Sequence, residues 1–330
     1  MSDGADWRPS ATRPRLLARA ALLRSTREFF AKRQVLEVDT PLLVNAPVSD
    51  VHVHCASVRL ARGSEAGNAP AQLYVHSSPE YAMKRLLAAG SGDIYQICHV
   101  VRGFECGRLH NPEFTLIEWY RQGFTLAQLM DEVEALLRQL LGAAAPARGS
   151  ERVSYRDAFL RELQLDPLTA SLAQLATAAA PLGLQPRTGA TARDEWLDLL
   201  MAAHVGPRLG RNALTFIHSY PAAQAALARL DPQDARVAQR FELYCEGVEL
   251  ANGFHELADA GEQRARFSRD NDERRRRGLP VAAADERLLA ALEAGLPDCA
   301  GVALGLERTL MLATGAGHID EVLTFPSARA

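Results

Sequence analysis

What this chain of 330 residues lacks narrows its role before any motif is read. No apolar run approaches the roughly 18–20 residues that cross a bilayer, so no membrane association is expected. The opening MSDGADWRPSATRPRL has no apolar stretch of the kind a secretory signal needs. Cys55, Cys98, Cys106, Cys245 and Cys299 lie far apart with no CxxC pair. That spacing argues against a zinc ribbon or a disulfide framework and fits a reducing compartment, the cytoplasm. His52 and His54 have no cysteine or carboxylate pair at ligand spacing nearby, so they read as two same-face strand residues rather than metal ligands. A basic excess is absent too. The net charge of −3 argues against a large nucleic-acid surface, though not against a small one. Neither GxxxxGK[ST] nor a GxGxxG after a strand occurs. His218–Ser219 has no nucleophile elbow or orienting acid nearby, so a hydrolytic triad is not expected.

What is present centres on Ile94 to Tyr120, IYQICHVVRGFECGRLHNPEFTLIEWY. A β-branched apolar run stops at Arg102, and a second strand alternates from Phe114. Period-two geometry puts Phe114, Leu116, Glu118 and Tyr120 on one face, with Thr115, Ile117 and Trp119 on the other. A carboxylate inside an apolar ladder is costly unless paired. Glu118 is therefore either an exposed ion pair or part of a pocket floor for a charged small molecule.

Around this hairpin, Arg15 to Arg33 reads as an amphipathic helix with Leu16, Ala20, Leu23 and Phe30 on one side. Val35 to Val44 reads as an extended segment that Pro41 confines to a sheet edge or breaks. Covering that edge falls either to the preceding helix or to a second subunit. Residues 61–72 form a loop. Ser77, Ser78, Pro79 and Glu80 then open a helix with Met83, Leu86 and Leu87 buried, Pro79 taking its first position. Glu80 there is ordinarily only a charge favoured by the positive helix end.

Thr125 to Leu141 is a helix with a Thr125–Gln128 capping box. From about 143 to 236 the chain is Ala-rich and broken by prolines. It is expected to be a helical insertion in one domain spanning 1–330, without a chemical constellation. Glu249 and Glu256 bracket Asn252 and Gly253, and oxygen ligands of that kind suit Mg²⁺ held with phosphates. Asp259 to Arg277 reads as a helix with an Asp259–Glu262 capping box and a solvated arginine end. In AGVALGLERTLML a small-residue strand turns at Gly305 into a helix with Arg308 in its first turn, where anions are favoured.

Two arginines, several acids and an aromatic ring make a site for a nucleoside triphosphate with a cationic substrate. At this point the chain resembles a known family. Pro41 after helix and strand resembles motif 1 of the class II aminoacyl-tRNA synthetases, Arg102 through Tyr120 resembles motif 2, and GVALGLER resembles motif 3. HNPEF and ELANGFHE resemble the lysyl branch. The chain is expected to start almost at the catalytic core, without an anticodon-binding domain. In this it is similar to the elongation factor P–(R)-β-lysine ligase family, as are SSPEYAMKRLL, NPEFTLIEWYR, GVELANGFHEL and PDCAGVALGLERTLML.

The resemblance implies an α+β fold with an antiparallel sheet flanked by helices, and a homodimer through motif 1. It implies activation of (R)-β-lysine by ATP and transfer of the β-lysyl group to a lysine of elongation factor P. Arg102 would bind the α-phosphate. Arg308 would clamp the γ-phosphate and stack on adenine opposite Phe114. Glu105, Asn111, Glu249, Leu250 and Gly305 would complete the ATP site. Ser78, Pro79, Glu80, Glu118, Tyr120 and Glu256 would form the amino-acid pocket, with Ala303 shaping its wall. Glu249 and Glu256 would hold Mg²⁺, and Arg102, Arg308 and Glu249 would be the catalytic set. Ala303 stands where lysyl-tRNA synthetases typically have glycine. Arg102-Gly103-Phe104-Glu105 departs from the family's usual Arg-Asn-Glu-Glu at Phe104, and Glu307 replaces the usual Asp. The alternatives are a free-standing synthetase core that acylates RNA, and a non-catalytic synthetase-like module.

Overall fold

The computed structural model describes residues 7–60, 71–185 and 193–330. The expected loop at 61–72 lies almost wholly outside them. Among the described residues eleven strands occur, β1 (Leu36–Glu37), β2 (Leu43–Val44), β3 (Ser57–Leu60), β4 (Ala71–Val75), β5 (Ile94–Val101), β6 (Glu113–Gln122), β7 (Glu151–Ser154), β8 (Thr215–Pro221), β9 (Val237–Cys245), β10 (Val248–His255) and β11 (Cys299–Gly305). The α-helices are α1 (Arg13–Ala31), α2 (Glu80–Ala88), α3 (Leu126–Leu141), α4 (Tyr155–Leu163), α5 (Leu172–Ala179), α6 (Arg193–Leu200), α7 (Ala260–Arg276), α8 (Glu286–Gly295) and α9 (Leu306–Thr314).

Eight strands form one sheet in the order β1-β5-β6-β11-β10-β9-β8-β7, and β2-β4-β3 form a small second sheet. Pairing is antiparallel through the middle of the large sheet and parallel at its two edges, β1 with β5 and β7 with β8. This is the α+β architecture expected from the sequence. Pro41 acts as anticipated: β1 ends on the edge of one sheet before it, and β2 joins the other sheet after it. The stretch 143–236 differs from the expected run of short helices, because it also supplies β7 and β8 to the main sheet. Frequent prolines there mask two strands, of which β8 buries Phe216 and Ile217 fully.

Alternation along β6 divides the molecule. Ile117 and Trp119 point into a core with α1 and α3, where the Phe30 and Trp119 rings meet edge-on at 5.3 Å. Glu132 on α3 accepts the Trp119 indole N–H at 3.1 Å, so the ring's polar atom is satisfied. The buried stripe of α1 is Leu22, Thr26, Phe29 and Phe30, rotated from the one expected. The opposite face of the sheet carries Phe114, Leu116, Glu118 and Tyr120 and holds the candidate site.

Helix boundaries follow their caps. The Thr125–Gln128 capping box is complete. At α7 only half of the expected box exists: Asp259 accepts the Glu262 N–H, while the Glu262 side chain turns to Arg266 and Arg269. The α7 end is not simply solvated either. Arg274 is 7 % exposed and donates to the carbonyls of Pro280 and Asp50. Arg277 pairs with Glu195 at 2.9 Å and with Glu273. His52 and His54 lie in the turn and coil before β3, not on a strand.

Candidate active site

Two subsites share the open sheet face. The first is built from α2, β6 and the end of β10. Glu118 is 2 % exposed. Its carboxylate accepts the Ser78 hydroxyl at 2.8 Å and the Tyr120 phenol at 2.7 Å. Ser78 also accepts the Glu80 N–H at 3.1 Å, so its hydroxyl both starts α2 and braces Glu118. Pro79 stands one position before the first helical residue rather than on it. Behind them Lys84 is buried, with its Nζ 2.7 Å from Glu80 Oε1 and 2.6 Å from Glu256 Oε2. The other oxygen of Glu256, Oε1, accepts no hydrogen bond, although the residue is 4 % exposed. A buried carboxylate left in that state is a ready acceptor for an incoming cationic donor.

Burial pushes the Glu118 carboxyl up to about 7, Glu80 adding to the effect, and pushes Glu256 up to about 8 against the pull of Lys84. Burial works against the charge on Lys84, but Glu256 and Glu80 outweigh it and hold its pKa above the ordinary lysine value. Ser78, Pro79 and Glu80 also line a cavity of about 370 Å³ that continues past His76, Tyr81 and Asp285.

The second subsite is built from β6, β10, β11 and the start of α9. Arg102, Glu105, Asn111, Phe114, Glu249, Leu250, Gly305 and Arg308, the residues of the expected ATP set, line a cavity of about 110 Å³. Ala303 belongs to this lining as well, although it was expected on the amino-acid wall. The guanidinium over the Phe114 ring is that of Arg102, 5.2 Å from the centroid. Arg308 donates to the Leu109 and Glu249 carbonyls at 3.2 and 2.9 Å and to His110 Nε2 at 2.6 Å. Burial and Arg308 together depress the His110 pKa, which keeps that nitrogen an acceptor. Asn111 is committed to the protein: its amide donates to the Glu113 carbonyl and accepts the Ser327 N–H. At Gly305 a β-carbon would meet only the Leu250 carbonyl at 3.9 Å, so the missing side chain leaves space beside the cavity.

Glu307 fixes this corner of the site. It is 2 % exposed, pairs with Arg19 at 2.7 Å and accepts the Thr115 N–H at 2.9 Å, tying the first turn of α9 to β6 and α1. Phe104 sits on the loop between β5 and β6 with φ of 66°, 88 % exposed, its ring edge-on to His54 at 4.9 Å.

The two expected metal carboxylates stand near opposite ends of β10. Six residues of β10 lie between Glu249 and Glu256, about 20 Å of strand, and Glu256 is engaged by Lys84. No group of three or more His, Cys, Asp or Glu side chains arranged for a metal occurs among the described residues. The carboxylate that faces Glu249 is Glu242, across the β9–β10 turn. Both line a cavity of about 360 Å³ with Tyr155, Asp198, Arg240 and Arg308. Burial and then Glu242 push the Glu249 carboxyl up to about 7. Glu242 itself accepts from Arg240 at 2.5 Å and from the Tyr244 phenol at 2.7 Å. Sequence reasoning missed Glu242. The signal was the Glu246-Gly247 turn, which folds RFEL back onto VELAN and sets Glu242 opposite Asn252.

Tyr155, Asp198 and Tyr220, from the stretch thought to lack chemistry, therefore wall the far side of the site. Residues 4–329 match the family model described as tRNA synthetases class II (D, K and N). The chain belongs to the class II tRNA synthetase family. Its relatives include proteins named elongation factor P–(R)-β-lysine ligase from Klebsiella pneumoniae and Yersinia enterocolitica, each 50 % identical over the full length of both chains. One of the same name from Hamiltonella defensa is 49 % identical, again over full length. The chain is a ligase of this synthetase family, and membership carries ATP use with it. No helix among the described residues is long and apolar enough to cross a membrane.

Proposed function

We propose that this ligase activates (R)-β-lysine with ATP and passes the β-lysyl group to the ε-amino group of a lysine on elongation factor P. The observation that carries this reading is the placement, on one sheet face, of a buried carboxylate pocket beside an arginine-lined nucleotide cavity. In the first step a substrate carboxylate oxygen attacks the α-phosphorus of ATP and the bond to the β-phosphate oxygen breaks. Pyrophosphate leaves, and β-lysyl-adenylate remains. In the second step the acceptor nitrogen attacks the acyl carbon, the C–O bond to AMP breaks, and the amine proton passes to the departing phosphate or solvent. No covalent enzyme intermediate is required.

Positioning and electrostatics then supply the rate. Arg102 stabilises charge growing on the α-phosphate, and Arg308 holds the far end of the triphosphate. Phe114 offers a ring face to adenine, Leu250 and Gly305 shape the floor beneath it, and Glu105 flanks Arg102 at 3.9 Å. Glu118, Tyr120, Glu80 and Glu256 receive the substrate's ammonium groups. The donor set fits a hard cation: two like-charged carboxylates, Glu242 and Glu249, border the cavity that would take the phosphates. Those two residues would hold Mg²⁺, whose chemistry is to neutralise phosphate charge.

A homodimer through the region around Pro41 accounts for two apolar side chains there, Leu36 and Leu42, which are 55 % and 48 % exposed. The protein's site of action in this reading is the cytoplasm, and tRNA is not a stable ligand. The deciding experiment is ATP–pyrophosphate exchange with (R)-β-lysine and with α-lysine, followed by mass analysis of elongation factor P. Exchange with (R)-β-lysine and a mass gain of one β-lysyl group are expected. No exchange with either amino acid would overturn the reading.

A further inference from the structure

Three carboxylates and a single ammonium group crowd the amine pocket. Glu80 and Lys84 stand one turn apart on α2, Glu118 comes from β6, and Glu256 follows β10. Lys84 is the unusual member. A lysine four residues after a glutamate ordinarily keeps its head in water, yet this side chain is 1 % exposed. It donates to Glu80 at 2.7 Å and lies 2.6 Å from Glu256. An unpaired buried ammonium would be expensive, so its burial depends on both carboxylates, and their mutual arrangement depends on it. The hydroxyls of Ser78 and Tyr120 satisfy Glu118 without altering its charge.

We propose that Lys84 is a positioning residue that holds Glu80 and Glu256 in place and leaves the ionised pocket with two net negative charges, so that the site selects amino acids carrying two ammonium groups. This rests on the reading of the pocket as the amino-acid site of an adenylating ligase. A dication compensates the pocket fully. A monocation leaves a buried carboxylate without a counter-charge, which costs binding in the manner of a broken buried pair. Removing Lys84 sets Glu80 and Glu256 against each other and disperses the geometry that receives the substrate.

The test uses the full-length enzyme with Lys84→Met and Lys84→Gln. ATP–pyrophosphate exchange is measured with (R)-β-lysine and with 3-aminohexanoate, the same chain without its terminal amine. Expected are a rise of about tenfold or more in KM for (R)-β-lysine, a KM for ATP within about twofold of wild type, and an equal collapse of the preference for the diamino acid. In a Glu256→Gln background the Lys84→Met change should add less than about threefold, because the two act through one contact. Parallel losses for ATP and amino acid, unchanged discrimination, or additive effects would overturn the proposal. Should Lys84→Met not fold, Lys84→Gln, which keeps hydrogen bonding but not charge, carries the same readouts. Wild-type enzyme that fails to exchange with (R)-β-lysine sinks the underlying reading, whereas active wild type with unaltered variants sinks only the role of Lys84.

Discussion

Gly301 lies directly across the β6–β11 ladder from Tyr120, and a β-carbon on it would fall 2.3 Å from the tyrosine ring. The same atom would come within 2.5 Å of Glu256 Oε1. Gly301→Ala must therefore move two pocket residues at once. A stability loss of about 1–3 kcal/mol is expected from overpacking. KM for the amino acid should rise while KM for ATP stays near the wild-type value. Thermal unfolding and exchange kinetics on one variant check both parts, and an unchanged amino-acid KM would show that the pocket tolerates the added methyl.

Glu242→Gln and Glu256→Gln should separate metal binding from amine binding. Glu242 shares its cavity with Glu249, and Glu256 shares its pocket with Lys84. The first variant should raise the Mg²⁺ concentration for half-maximal exchange several-fold, as expected on losing one of two carboxylate ligands. The second should leave the Mg²⁺ curve in place and raise the amino-acid KM. A Mg²⁺ titration of both variants decides it; a shift with Glu256→Gln instead would restore the Glu249–Glu256 assignment.

Protons should leave when the diamino acid binds. Glu118 and Glu256 have folded-state pKa values raised to about 7 and about 8 from an ordinary 4.5. Between about pH 4.5 and 8 the folded state binds more protons than the unfolded chain at these positions. Their contribution to stability is therefore present at the acidic end of that window and is lost as pH rises through it. Ammonium groups favour the ionised carboxylates, so binding near neutral pH should expel protons and tighten from about pH 6 to 8. Calorimetry in buffers of differing ionisation enthalpy measures the release; proton uptake would contradict it.

Arg274→Ala should destabilise without touching catalysis. Its guanidinium closes α7 onto the Pro280 and Asp50 carbonyls from a buried position. Losing charged donors to buried acceptors costs about 1–3 kcal/mol. Denaturant unfolding should register that loss, with kcat for exchange at 25 °C unchanged.

The hairpin of β5 and β6, the turn at Gly305 and the Thr125 cap were legible because each rests on local rules: alternation, glycine placement and side-chain capping. Glu118 was legible because a carboxylate in an apolar ladder needs a reason. The parts that escaped depend on what the chain meets far away in sequence. Lys84 reads as a surface residue until Glu256, just past the end of β10, closes over it. Glu242 means nothing until β9 turns back on β10. Arg274 sits in a run of four arginines and only folding singles it out. The strands β7 and β8 hide among prolines because pairing with β9 and with each other, not local propensity, makes them.

The two-sidedness of β6 has a consequence for how this protein can vary. Trp119 and Glu118 are neighbours in sequence but serve opposite sides of the sheet, one the helix-packed interior and the other the ligand. Exchange of one residue type for another within β6 changes one side and spares the other. Insertion or deletion of a single residue there inverts the strand, delivering an indole to the substrate and a carboxylate to the interior. Within β6, then, spelling is negotiable and length is not.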